Sequence, residues 1–158
     1  MTASTLPSQG AAQAGGIVFE RPQQVRFAHC DPAGIVFFPQ YLVMTNGLVE
    51  DWFNEGLQID YGAFVTTRRL GLPIVKLDCE FVAPSRIGDT LTLSLSVLAA
   101  GRSSLRLSIS GSAHQQLRFR TEQILVSTSL DTHRSIPLPS DVLAGLQRYL
   151  PQAAQPRN

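Results

Sequence analysis

Leu91, Leu93, Leu95 and Val97 alternate with Thr92, Ser94 and Ser96, and Leu105, Leu107 and Ile109 alternate with Ser104, Arg106, Ser108 and Ser110. A period of two puts all the apolar side chains of such a run on one face. Residues 89–100 and 103–113 therefore predict two strands with one face buried and one face wet. "GRS" after the first run and "AHQQ" after the second fall where hairpin turns are needed. Residues 73–84 and 117–130 predict two further strands. Near the start, Val25 and Phe27 alternate with Gln24, Arg26 and Ala28, which predicts a strand over 17–30 ending near Asp31, where Pro32 favours an extended backbone.

The period changes over 39–56. Leu42, Leu48, Val49, Trp52 and Phe53 fall on one helical face. Pro39 suits the first helical position, where its missing N–H costs nothing, and Gly56 suits the stop. Gly47 weakens the middle by about 1 kcal/mol, so packing must hold this helix. Residues 57–73 predict a short second helix and a loop, and 139–150 a terminal helix capped by Ser140 or Asp141. One strand, one long helix and then four strands with short connections, read as antiparallel neighbours, make an α+β protein: an antiparallel sheet wrapped around one central helix.

The chain of 158 residues is read as one domain over 17–150, with a disordered, small-residue tail over 1–16 and a short tail over 151–158. Thirteen basic and twelve acidic side chains leave a net charge of +1. Phosphate-backbone binding normally needs a basic excess, so no nucleic-acid partner is expected, although two or three arginines suffice for a small anion. No apolar run approaches a membrane span and no signal-peptide pattern opens the chain, so no membrane partner is expected and the cytoplasm is the default. Cys30 and Cys79 lack metal-ligand spacing and read as free thiols, with a disulfide between them as the alternative. No metal is expected.

The densest chemistry is in "HCDPAGIVFFPQY", residues 29–41. Asp31 stands just ahead of a helix start, across a turn through Pro32, Ala33 and Gly34. The first turn of a helix presents unpaired N–H groups and partial positive charge. A carboxylate near such donors has the parts for acyl transfer: a nucleophile or base, and amides to hold an oxyanion. Asp before Pro and Gly is also a common turn residue that bonds its own backbone, and the residues alone leave both readings open.

The run from Asp31 to Tyr41 resembles the signature of hotdog-fold acyl-CoA thioesterases of the 4-hydroxybenzoyl-CoA thioesterase family. "GLPIVKLDCEFVAPSRIGDTLTL" (71–93), "GRSSL" (101–105) and "THRSIPLP" (132–139) are similar to later segments of that family. The resemblance covers about residues 20–140. It implies hydrolysis of an acyl-CoA, aromatic or of short to medium chain, to the free acid and coenzyme A, with coenzyme A part of the substrate and no cofactor. It implies Asp31 as the catalytic carboxylate and the backbone N–H of Phe38 as the oxyanion donor; a main-chain donor survives the replacement of the family's usual Tyr or His by Phe. It implies a homodimer or homotetramer with sites at subunit interfaces, which an exposed sheet edge supports independently.

Phe37 and Tyr41 are candidates for lining the acyl pocket or for plain core packing. Asn46, mid-helix, is a candidate for binding a polar group of the acyl portion or for facing solvent. Arg102 and Arg134 match basic positions that the family uses around the coenzyme A phosphates, where a guanidinium bonds in bidentate fashion, and solvation is the alternative for each. His29 shares a strand face with Asp31 but is separated from the helix by the turn. The competing function is a non-catalytic module that binds acyl thioesters or an aromatic ligand.

Overall fold

The computed structural model describes residues 15–152. The expected tails lie outside the described residues up to position 14 and from 153. Gly16 leaves no room for a Cβ against the Tyr149 backbone, and Ile17 N–H donates to Arg148 O at 2.9 Å.

In chain order the elements are β1 (Phe19–Gln24), a 3-10 turn at Phe27–His29, α1 (Pro39–Asp51) running into a π turn at Trp52–Gly56, α2 (Tyr61–Thr66), β2 (Leu70–Gly71), β3 (Ile74–Phe81), β4 (Thr90–Ala100), β5 (Ser104–Ala113), β6 (Gln116–Val126), β7 (Thr128–Ser129) and α3 (Ser140–Leu146). Five strands form an antiparallel sheet in the order β1-β4-β5-β6-β3, and β2 pairs with β7 apart from it. The alternation of β4 and β5 is realised in full: Leu91, Leu93, Leu95, Val97, Leu105, Leu107 and Ile109 are all buried. Against them α1 and its π turn lay Tyr41, Met44, Leu48, Val49, Trp52 and Phe53. Pro39 takes the first helical position, as its missing N–H predicts; the helical run ends after Gly56, and the left-handed conformation just beyond it is taken by Gln58, with φ of 59°.

Four expectations change. The first strand stops at Gln24, whose partner Thr90 is the last residue β4 offers; beyond it the chain turns and Phe27 stands 83% exposed. Strands β3 and β4 are consecutive but not neighbours: β3 pairs with β6 on the far edge, so residues 82–89 cross the end of the sheet. The segment 117–130 is broken at Ser127: β6 ends at Val126, and Thr128 and Ser129 leave the five-stranded sheet to pair with β2. Neither Ser140 nor Asp141 caps α3; Pro139 holds that position, and Asp141 instead takes a two-pronged bond from Arg68 at 2.7 and 3.0 Å. Cys30 and Cys79 are free thiols, and burial pushes the Cys79 thiol up from its ordinary value.

The hairpin turn at His114 and Gln115 has φ of 52° and 61°, the handedness that matches the twist of the flanking strands. Edge strand β3 is largely uncovered, and Ile74, Val75, Leu77 and Phe81 are exposed on it. No helix of the described residues is long and apolar enough to cross a membrane.

Candidate active site

Residues 29–37 fold back on themselves before α1 begins. Asp31 N–H donates to Ile35 O at 3.0 Å, Gly34 N–H to Asp31 O at 2.9 Å, and Phe37 N–H to His29 O at 2.9 Å. Gly34 closes this tip with φ of +75°, a conformation that a side chain resists. Ala33 N–H donates to Asp31 Oδ1 at 2.8 Å, so the turn-capping reading of Asp31 is realised. That bond occupies one carboxylate oxygen; the other has no partner among the described residues, and the residue is half-buried. His29 Nδ1 accepts from Arg26 N–H at 2.9 Å, which leaves its hydrogen on Nε2.

The crossing segment 82–89 holds the tip in place. Val36 N–H donates to Ser85 O at 2.9 Å and Ile87 N–H to Gly34 O at 3.1 Å. Ser85 is fully buried, and its Oγ accepts from the Tyr41 hydroxyl at 2.8 Å. One serine thus ties the tip, through its carbonyl, to the first turn of α1, through its hydroxyl. Arg118, 8% exposed, braces the same segment by donating to Pro84 O and lying 3.8 Å from Asp89. Asp89 accepts from Arg86 N–H at 2.9 Å. That bond, with the charge of Arg118 and a contact from His114, holds the Asp89 carboxyl below its ordinary value against the opposing effect of burial.

At the start of α1, Phe38 is the N-cap residue and Pro39 has no N–H to offer. Gln40 and Tyr41 donate their N–H groups to Phe37 O and Phe38 O. The Phe38 N–H has no acceptor among the described residues. It therefore stands as a free donor at the positive end of the helix. The rings of Phe37 and Phe38 are half-exposed beside it, and Phe38 meets Phe81 edge-on at 5.7 Å between centroids. Tyr41 is core, 4% exposed and packed on Phe119 at 4.6 Å.

Further along α1 a cleft of about 520 Å³ opens between the helix and β3, lined by Leu42, Val43, Thr45, Asn46, residues 74–77 and Gln123. Asn46 is exposed and lines this cleft. Arg102 and Arg134 are exposed, and neither guanidinium has a partner among the described residues. Leu138 N–H donates to Arg102 O in the β4–β5 turn, and Ser129 N–H donates to Arg134 O beyond the adjoining end of β6. Asp31 lies beyond the opposite end of β4, whose 11 residues span on the order of 35 Å. A single protomer thus gathers Asp31, Phe37, Phe38 and Tyr41 at one end and keeps the two arginines at the other.

Ser85, Arg118, Phe81 and Gln123 were not singled out from the sequence. Only Gln123 carries a local signal, since it and Thr121 are polar on the inward face of β6, where alternation calls for apolar residues.

A long helix packed on a five-stranded antiparallel sheet, with a turn-borne carboxylate ahead of the helix, defines a hotdog-fold protein of the thioesterase-like class. The chain belongs to the thioesterase-like superfamily, whose family model matches residues 25–146. It is 30% identical over 127 residues to the 1,4-dihydroxy-2-naphthoyl-CoA hydrolase of Synechocystis sp. (strain ATCC 27184 / PCC 6803 / Kazusa), covering 79% of this chain and 90% of that one. It is 31% identical over 129 residues to the 4-hydroxybenzoyl-CoA thioesterase of Pseudomonas sp. (strain CBS-3), covering 77% and 92%. The crystal structure of an aspartate-to-asparagine mutant of 4-hydroxybenzoyl-CoA thioesterase, complexed with 4-hydroxybenzoyl-CoA, superposes with a TM-score of 0.74 at 26% identity, covering 81% of this chain and 97% of that one.

Proposed function

We propose that the protein hydrolyses an aromatic acyl-CoA thioester to the free acid and coenzyme A. The observation that carries this is the pairing, at one end of the fold, of a carboxylate oxygen on Asp31 that has no partner with a Phe38 amide that has no acceptor. The relatives' names supply the substrate class: each acts on an aromatic ring joined to coenzyme A through a thioester.

In this reading the thioester carbonyl lies against the first turn of α1, its oxygen toward Phe38 N–H. Asp31 either attacks the carbonyl carbon or takes a proton from a water that does so. Either route passes through a tetrahedral oxyanion held by the amide dipole, a group already oriented before the reaction. Collapse expels the thiolate, which leaves as coenzyme A once protonated. On the nucleophilic route water then cleaves the mixed anhydride and restores Asp31. The Ala33 N–H bond orients the carboxylate and leaves the reacting oxygen unengaged. No cofactor takes part, since coenzyme A arrives with the substrate.

The working unit is at least a dimer. The uncovered apolar edge of β3 is a template for strand pairing, and a second copy lying against it closes the α1–β3 cleft. The same assembly is what brings Arg102 and Arg134 of one copy within reach of coenzyme A phosphates bound at Asp31 of another. The test is a panel of aromatic and aliphatic acyl-CoAs with thiol release as the readout. Turnover of aryl-CoAs is the expected result; binding without release of thiol from any member favours the non-catalytic module.

A further inference from the structure

Gln123 is 2% exposed and sits in the floor of the α1–β3 cleft. Its Nε2 donates to Thr45 Oγ1 at 3.3 Å and to Thr121 Oγ1 at 3.2 Å. Thr45 settles which way round the amide lies. Its hydroxyl hydrogen is committed to Leu42 O at 2.9 Å, so toward Gln123 the oxygen can only accept, and the NH2 end must face it. Both amide hydrogens are then spent and Oε1 points elsewhere. It accepts nothing among the described residues. Among the described residues the side-chain atoms sealed away without a partner are Trp52 Nε1, Arg118 Nε and Ser127 Oγ; Oε1 is not among them, and Gln123 lines the cleft.

We propose that Gln123 Oε1 is the acceptor that reads a hydrogen-bond donor, a hydroxyl, on the ring of the acyl group. This rests on the aryl-thioester reading above and deepens it by naming the residue that selects hydroxylated rings. The surroundings make the atom selective. Leu42, Val43, Ile74, Val75 and Leu77 supply an apolar wall, so a ring that lacks the donor leaves a carbonyl desolvated and unpaired, which is the costly case. Lys76, the cation on this cleft, lies 3.6 Å from Asp78 and is partly neutralised by it. Spacing agrees with a single ring. Thr45, which holds the amide, lies seven positions past Phe38, about 10 Å along the helix. A carbonyl, an aromatic ring and a ring hydroxyl cover that span with a hydrogen bond at each end.

Binding of two non-hydrolysable thioethers, 4-hydroxyphenacyl-CoA and phenacyl-CoA, tests the assignment by calorimetry on the intact protein. The wild type is expected to bind the hydroxylated compound about tenfold more tightly. Gln123→Met, similar in length and lacking the carbonyl, is expected to bring the ratio to within about twofold. Thr45→Val, which removes the group that orients the amide, is expected to narrow the ratio and provides a second variant should Gln123→Met fail to fold. A wild type with no preference for the hydroxylated compound overturns the assignment without variants. So does a Gln123→Met protein that keeps the full ratio. Thiol release, measured separately, tells this from failure of the underlying reading: a protein that shows the ratio but never releases thiol keeps the Gln123 site and loses the thioesterase.

Discussion

Tyr41 and Ser85, 44 positions apart, are joined by a hydrogen bond of 2.8 Å in the protein interior. Tyr41 belongs to the first turn of α1 and Ser85 to the segment that crosses from β3 to β4. Ser85 also accepts, through its carbonyl, the Val36 N–H of the Asp31 tip. The relation between the carboxylate and the free Phe38 amide is therefore held by a residue on neither element. Tyr41→Phe leaves the Ser85 hydroxyl buried with no donor and is expected to cost about 1–3 kcal/mol in denaturant unfolding. Tyr41→Phe with Ser85→Ala is expected to cost less than the two single changes added. A kcat decrease at nearly constant KM distinguishes a positioning role from a packing role, which shows in stability alone.

The bracing of the crossing segment has a pH dependence. Asp89 titrates below its ordinary value because it accepts from Arg86 N–H and sits by Arg118. A depressed carboxyl contributes stability that is complete above its unfolded value, about 3.9, and is lost as pH falls through the lower folded value. Unfolding free energy is expected to decline from about pH 4 downward. Asp89→Asn, which keeps an acceptor for Arg86 but no charge, is expected to flatten that decline. Asp141, depressed by the Arg68 bond, keeps part of the slope. An acid limb identical in the two proteins contradicts the assignment.

Arg102 and Arg134 have exposed guanidiniums without partners at the end of the sheet away from Asp31. Arg102→Ala and Arg134→Ala are each expected to raise KM for an aryl-CoA about tenfold, the worth of a charge-assisted bond to phosphate. Neither is expected to change KM for the same aryl thioester of pantetheine, which lacks the nucleotide. Equal effects on both substrates contradict phosphate binding.

Val75 is 60% exposed on an edge strand. A lysine there costs an isolated protomer little, within about 0.5 kcal/mol, but blocks strand-to-strand pairing. Val75→Lys is expected to shift the protein toward monomer in analytical ultracentrifugation and to lower activity in step, with near-unchanged thermal stability. A Val75→Lys protein that stays fully assembled contradicts pairing through β3.

The elements legible in the sequence are those set by local periodicity. β4 and β5 are read from uninterrupted alternation, and α1 from its apolar face between Pro39 and Gly56. The alternation of Val25 and Phe27 extends the predicted first strand past its end, because the strand stops where β4 runs out of partners at Thr90. The place of β3 beside β6 depends on pairing across the sheet, to which a strand's own residues are blind. At the site, the sequence marks Asp31 as a candidate by its place ahead of the helix and by resemblance, and Phe38 by resemblance alone. Ser85 and Arg118 had no local signature, because a serine and an arginine become informative only when the fold buries them against Tyr41 and Pro84.

The central claim is chemical, and Asp31→Asn tests it most directly. The asparagine keeps an oxygen for Ala33 N–H and so preserves the turn, while removing the nucleophile or base. Thiol release from an aryl-CoA is expected to fall by about 10²–10⁴-fold, with phenacyl-CoA affinity and oligomeric state close to wild type. An Asp31→Asn protein that folds, binds and hydrolyses at a rate near that of the wild type would contradict the account.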